Sequence, residues 1–293
     1  MSSSKAKPAP ATRVAGYRIE RLLGRGGLGA VYLAHDEAGV ATALKLIDLG
    51  GSEGPHLHRI FEREVAVSRR LQHPGIVGIH NTGRAGELAF LAMEYVGGGD
   101  LAGLPKGRQP LPVARCVAIA ARVARALAHA HGQGVLHRDI KPANILVDEA
   151  ADQVKLADFG LARLADLQRS RTGVLAGTPA YMSPEQLAEG AQDARSDLYS
   201  LGVVLFELLA GRVPHEAGSL GDLLRQVSRL TAPPVQGLRP DTPPALSALV
   251  ARLLEKKREQ RPRDANTLAF ELEAVLAILP DEPVPNDAPG ARR

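Results

Sequence analysis

The 293-residue sequence contains no tryptophan, one cysteine and only 3% aromatic residues. A single cysteine excludes an intramolecular disulfide, so stability must come from a packed core. Cys116 sits in an apolar helical pattern and reads as a small buried hydrophobe, and its solitude fits a reducing compartment. Few aromatics leave few platforms on which bases could stack. The net charge of +4 and pI near 9.3 admit a phosphate-backbone binder in principle. The basic residues are dispersed rather than clustered, however, and no nucleic-acid partner is expected. Long apolar runs are lacking too. A bilayer crossing needs roughly 20 apolar residues; the greasiest stretch, LYSLGVVLFELLAG at 198–211, is broken by serine, glycine and Glu207 and reads as a core helix. The N-terminal MSSSKAKPAPATR lacks the apolar centre of a signal peptide. Its proline, alanine and serine content predicts a disordered lead-in over residues 1–13, and no membrane span and a cytoplasmic location are expected.

What is present is globular material, 45% hydrophobic and 23% charged, at a length that admits one large domain or two lobes sharing a hinge. From Tyr17 to Ile47, strand-like runs (YRIERLL, AVYLAHD, ATALKLID) are punctuated by glycine-bearing turns, as in an antiparallel sheet. HLHRIFEREVAVSRRL, 56–71, has helical spacing, and strands are predicted at 76–80 and 88–94. After GGGD at 97–100 the pattern turns helical, beginning with VARCVAIAARVARALAHAHGQG, stopped by Gly132 and Gly134. The glycine run at 97–99 is too short for a free linker and reads as a hinge.

Three segments carry chemistry. GRGGLGAV, 24–31, fits GxGxxGxV through Gly24, Gly26, Gly29 and Val31. Glycines there let backbone N–H groups approach phosphate oxygens. A strand follows, where a dinucleotide fingerprint would open a helix, and the GK[ST] ending of a Walker loop is missing. In ATALKLID, Lys45 stands among apolar neighbours, a costly position unless it meets an anion. Glu64, on the predicted helix, is placed to pair with Lys45 while the lysine binds α and β phosphates, with Glu62 as the rival. In 137–160, His137, Arg138, Asp139, Lys141 and Asn144 are followed by Asp158, Phe159 and Gly160. Phosphoryl transfer needs a carboxylate for the hydroxyl proton, oxygen ligands for a metal, and a cation at the transferring group. This cluster has a candidate for each.

Together these motifs resemble the protein kinase superfamily, in particular the bacterial serine/threonine kinases of eukaryotic (Hanks) type, over about residues 14–275. The resemblance implies an α+β bilobal fold, with a small lobe (14–96) of five antiparallel strands plus one helix. A mainly helical lobe (97–278) and a proline-rich disordered tail (279–293) follow. It implies transfer of the ATP γ-phosphate to Ser/Thr hydroxyls of protein substrates, with Mg2+ as the ion and Mn2+ as an acceptable substitute. By the same resemblance Asp139 is the base, Lys141 steadies the γ-phosphate, and Asn144 and Asp158 hold metal. Met93 is the gatekeeper; the backbones of Glu94 and Val96 bond adenine; Leu23, Val31, Ala43 and Leu146 enclose the ring; and Asp100 reaches the ribose. GTPAYMSPE, 177–185, resembles the end of an activation segment, with Thr178 near the base and Glu185 pairing with Arg261. Asp197 is implied to hold the catalytic-loop backbone.

The pattern departs from the family at Leu28, at His215 where phenylalanine is common, and at Ser68. In place of a larger apolar residue, Ser68 is expected to pack less well and leave the Glu64 helix loosely held, in need of dimerisation or phosphorylation. Arg138 before Asp139 signals control by activation-loop phosphate, because a buried arginine wants an anion, and Arg163 could complete the pocket. Of Ser170, Thr172, Thr178 and Ser183, Thr172 is the favoured acceptor. The competing readings are a silent pseudokinase scaffold, whose usual loss of Lys45, Asp139 or Asp158 is not seen, a small-molecule phosphotransferase, and a nucleic-acid module.

Overall fold

A computed structural model describes residues 12–26, 29–50, 54–103, 111–159 and 179–280. The small lobe is built on β1 (Arg13–Val14), β2 (Tyr17–Gly26), β3 (Gly29–His35), β4 (Ala41–Asp48), β5 (Ile79–Ala85) and β6 (Leu88–Glu94). They form one antiparallel sheet in the order β1-β2-β3-β4-β6-β5. The sixth strand beyond the expected five is the two-residue edge β1. Arg13, assigned by composition to the lead-in, pairs there with Arg18.

Strand alternation decides what each face meets. Leu44 and Leu46 of β4 and Phe90 and Ala92 of β6 pack with Tyr17, Ile19 and Tyr32. Their neighbours Ala43, Ile47, Leu91 and Met93 pack on the opposite face with Leu57, Phe61 and Val65 of the helix α1 (Gly54–Ser68). Since side chains alternate with a period of two, Lys45 shares the α1 face with Ala43 and Ile47. Both faces of β4 are covered, so it reads as a nearly continuous apolar run.

Two local expectations shift. The helix predicted to reach Leu71 ends at Ser68, and Leu71 joins the large-lobe core. Pro74 follows closely and disfavours helix at the residue before it. The strand predicted at 76–80 lies instead at 79–85. Its place is taken by backbone bonds to the other lobe: Val77 N–H to the Leu156 carbonyl (3.0 Å) and Leu156 N–H to the Gly75 carbonyl (2.8 Å).

The large lobe is helical: α2 (Val113–Gly132), α3 (Pro184–Leu187), α4 (Ala194–Ala210), α5 (Leu220–Arg229), α6 (Val235–Leu238), α7 (Pro244–Leu253) and α8 (Ala265–Leu276). The helix α4 is the greasy stretch seen in the sequence, and Leu198, Tyr199, Val203, Leu205 and Phe206 are all buried. No helix among the described residues is long and apolar enough to cross a membrane. Cys116 is fully buried in α2, and burial pushes its thiol up to about 12, an inert state. A small second sheet, β7 (Gly99–Asp100), β8 (Ile145–Asp148) and β9 (Gln153–Leu156), lies against the lobe junction in that order. Here the glycine run is a contact rather than a spacer: a Cβ on Gly98 would lie 1.8 Å from the Val147 carbonyl oxygen.

His215 is buried, and its Nε2 lies 3.1 Å from Lys256 Nζ. Burial first, and the Lys256 charge second, lower its pKa to about 4 from 6.5. The unfolded chain therefore takes up the proton before the folded one. The corresponding stability is complete above pH 6.5 and is lost as pH falls toward 4, amounting to about 2 kcal/mol at pH 5. His215→Phe is expected to raise the melting temperature more at pH 5 than at pH 7.5. Thermal unfolding of both proteins at the two pH values checks this.

Candidate functional site

The geometry of the site begins in α4. Asp197, in its first turn, is 1% exposed. It accepts the His137 N–H (2.9 Å), the Arg138 N–H (2.8 Å) and a bond from His131 Nε2 (2.8 Å). Burial by itself would raise the Asp197 carboxyl, but the His131 bond and charge and the His137 contacts outweigh it and hold it below the usual carboxylate range. Arg138 adopts φ +66, a left-handed conformation that non-glycine residues avoid. The paired bonds to Asp197 hold it there. His137 donates Nε2–H to the Ala157 carbonyl (2.8 Å), leaving Nδ1 to accept the Asp139 N–H (3.2 Å). Its tautomer is thus set by its partners.

The turn that follows gathers three side chains. Lys141 Nζ reaches Asp139 Oδ2 at 2.7 Å. Asn144 donates Nδ2–H to the Asp139 carbonyl (2.7 Å) and to Asp139 Oδ2 (3.1 Å), so its Oδ1 remains as an acceptor. Asp139 stays one-third exposed, and among the described residues its side-chain bonds fall on Oδ2.

Lys45 finds its anion, though not the expected one. Its Nζ pairs with Asp158 Oδ2 at 2.7 Å, while Glu64 lies partly exposed on α1. The predicted Lys45–Glu64 pair is therefore corrected to Lys45–Asp158. A buried lysine needs an anion, and Asp158 supplies it. Burial alone would raise the Asp158 carboxyl; Lys45 beside it, then His137 and Lys141, hold it low instead. Ser68 overturns a second expectation. It is 6% exposed, and its hydroxyl lies 2.9 Å from the Glu64 carbonyl and 2.8 Å from the Phe159 carbonyl. Instead of leaving contacts unmade, the small polar residue bonds the backbone, and the cavity beside it is only about 10 Å³. The Phe159 ring meets His137 edge-on, with centroids 4.6 Å apart.

On the face that carries Lys45, Val31, Ala43, Met93, Val96 and Leu146 converge in one apolar cluster drawn from both lobes. The Glu94 N–H is bonded to the Gly78 carbonyl (2.8 Å) and its carboxylate to Lys155 (2.7 Å). Asp100 commits Oδ1 to the Gly103 N–H (2.7 Å). Leu23 stands exposed beside Gly24 and Gly26, where an added Cβ would meet nothing within 4 Å. Gly29 differs. It has φ +145, and a Cβ would lie 2.0 Å from the Leu46 carbonyl oxygen, so this glycine is required by the sheet itself.

Glu185 and Arg261 form the expected buried pair, at 2.7 and 2.9 Å, with Ser196 Oγ donating to Glu185 (2.7 Å). Arg138 is exposed, which removes the argument that a buried arginine needs an anion. Its N–H and carbonyl are tied inward to Asp197 and to Gln186 Nε2 (2.9 Å). Neither His131 nor Gln186 carries a sequence signal, since their partners lie 66 and 48 residues away. Arg163, Thr172 and Thr178 fall outside the described residues, as do Leu28 and Ser170.

Removing one acceptor from Asp197 tests the basis of this arrangement. Asp197→Asn should cost about 2–3 kcal/mol in urea denaturation, the scale of a buried N–H left unpaired, and should speed amide exchange at His137 and Arg138.

Comparison with known proteins gives a consistent picture. Residues 17–271 match the family described as Protein kinase domain. The serine/threonine-protein kinase pkn3 of Myxococcus xanthus is 38% identical over 272 residues, covering 88% of this chain and 50% of that protein. PknJ of Mycobacterium tuberculosis, also a serine/threonine-protein kinase, is 39% identical over 285 residues, 93% of this chain and 48% of its own length. The chain thus spans about half the length of the curated relatives it matches. Among solved structures, the Mycobacterium tuberculosis PknI kinase domain superposes with a TM-score of 0.72 at 30% identity, covering 91% of this chain and 98% of that one.

Proposed function

The chain belongs to the protein kinase family, and on that premise we propose that it transfers the ATP γ-phosphate to serine and threonine hydroxyls of protein substrates. The observation that carries this reading is the convergence of Asp139, Lys141 and Asn144 in one hydrogen-bonded group, with the Lys45–Asp158 pair presented from across the lobe junction.

In this reading Val31, Ala43 and Leu146 enclose adenine, with Leu23 at the mouth and Met93 behind. The Glu94 carbonyl and the Val96 backbone bond its edge. The free oxygen of Asp100 takes the ribose. Gly24 and Gly26 offer backbone N–H groups to phosphates, and Lys45 binds the α and β phosphates. Asp139 accepts the proton as the substrate hydroxyl oxygen bonds the γ-phosphorus and the bond to the β-phosphate oxygen breaks, releasing ADP. Lys141, already on Asp139, places its charge beside the transferring group.

The residues present fit a magnesium ion. Among the described residues the Oδ1 atoms of Asn144 and Asp158 have no bonded partner, and both are hard oxygen donors. Among the described residues no cluster of three or more His, Cys, Asp or Glu could hold a metal alone. This suits an ion bound jointly with phosphates, and Mn2+ would fit the same donors. When bound, it supplies charge neutralisation at the phosphates. Lys45, Asp139 and Asp158 are all in place, and no observation favours a silent scaffold. A cytoplasmic setting, where ATP is abundant, follows from the same proposal. So does activation by phosphate on Thr172, delivered within the chain or by a second copy of it, for which Arg138 and Arg163 would supply positive charge and with Thr178 serving near the base.

Two measurements check the proposal. With labelled ATP and magnesium, wild type should phosphorylate itself and a generic basic protein, and Asp139→Asn should lower kcat by about 10²- to 10⁴-fold. Fragment mass analysis after ATP treatment should place a phosphate on Thr172; fully active protein unmodified there would overturn that assignment.

A further inference from the structure

Asp158 holds an unusual backbone. Its φ is +64, in the left-handed region that an aspartate adopts at some cost, so neighbouring bonds must hold it. Upstream the strand is fixed: the Ala157 N–H goes to the Asn144 carbonyl (2.9 Å) and His137 Nε2 to the Ala157 carbonyl (2.8 Å). Downstream, the Phe159 carbonyl is bonded by Ser68 Oγ at 2.8 Å. Among the described residues this is the one hydrogen bond that joins α1 to another element. Of the residues around the small cavity there, including Ile76, Leu91 and Met93, only Ser68 and Asp158 have polar side chains. Among the described residues no other side chain is bonded to the Phe159 carbonyl.

The serine has one hydroxyl proton and two acceptors in reach, the Phe159 carbonyl and the Glu64 carbonyl one turn back in its own helix. Releasing Phe159 therefore leaves the hydroxyl satisfied inside the helix but strands a buried carbonyl. We propose that Ser68 is a positioning residue: its hydroxyl, by holding the Phe159 carbonyl, fixes the Asp158 carboxylate toward Lys45 and couples α1 to the metal side of the site. The helix that bears Glu64 and the backbone that bears Asp158 then move as one piece while the bond is made. The consequence for metal binding rests on the kinase reading; the coupling itself does not.

The test uses a matched pair. Ser68→Thr keeps the hydroxyl, and Ser68→Val has the same shape without it, so packing costs cancel in the comparison; Ser68→Ala removes the hydroxyl with no added bulk. Hydrogen exchange in the nucleotide-free chain reads the coupling. Ala and Val should speed exchange of α1 amides and of residues 157–159 by roughly five- to tenfold, the scale of one lost buried hydrogen bond, with Thr near wild type. Magnesium titration of the thermal shift given by a non-hydrolysable ATP analogue reads the positioning. Ala and Val should need about three- to tenfold more magnesium for half the shift, with the Kd of the analogue measured without magnesium unchanged. Equal exchange for Thr and Val, or wild-type exchange in Ala, overturns the proposal. Altered exchange with unchanged magnesium dependence overturns the positioning role and leaves only the coupling. If the wild type shows no nucleotide shift at all, the kinase reading and the metal role fall together, and the exchange comparison still decides the coupling.

Discussion

A carboxylate that is almost wholly out of water can stay charged only if nearly all of its lone pairs are engaged. Asp197 meets that condition, and much of the site depends on how it does so. Its two oxygens take consecutive backbone N–H groups, a pattern that requires the chain at His137 and Arg138 to curl back on itself. The left-handed Arg138 is the result, and it turns the next residue, Asp139, toward the opening between the lobes. The anchoring side chain comes from α4, the most deeply buried helix, so the 137–144 loop takes its position from the core rather than from the surface that it occupies.

The lobes are joined around this loop by polar links of different kinds. Lys45 to Asp158 and Lys155 to Glu94 are ion pairs across the junction, Ser68 to Phe159 is a neutral bond, and residues 75–77 are paired through backbone to β9. A buried ion pair contributes little net stability, since desolvation offsets most of the attraction, yet breaking one side of it is costly. Such links favour a defined arrangement over a stable one. Lys45 keeps donors beyond the one it gives Asp158, so the pair can persist while phosphates are bound.

The fold was legible where local pattern and packing agree. Glycine-punctuated strands, the alternation that put Lys45 on an apolar face, the helical run ending at Gly132 and the buried α4 were all readable from residue order. So were the residues that meet at Asp139, because Lys141 and Asn144 lie within one turn of it. What escaped the sequence was choice among partners. Lys45 has Glu62, Glu64 and Asp158 within reach of the argument, and only the relative placement of α1 and β9 selects the last. His131 and Gln186 are ordinary polar residues until the fold brings Asp197 and Arg138 beside them. Ser68 was misjudged for a related reason. Volume alone suggested a gap, whereas the hydroxyl found an acceptor that no sequence pattern advertises. The strand set at 76–80 failed because Ile76 and Val77 are apolar for the sake of the other lobe.

The glycines at 97–99 have a mechanical meaning. With Gly98 pressed on the Val147 carbonyl and Gly99 paired across to Val147, the connecting segment is already fastened to the large lobe by its third residue. Rotation of the small lobe then draws on the few bonds between Glu94 and Gly97, beside the backbone contact of residues 75–77 with β9. A pivot that short and that near the apolar cluster of Met93 and Val96 converts a modest tilt of the sheet into a small change in cleft width at its inner wall and a large one at its outer rim. The enclosing depth of the site would stay nearly constant as its entrance opens and shuts.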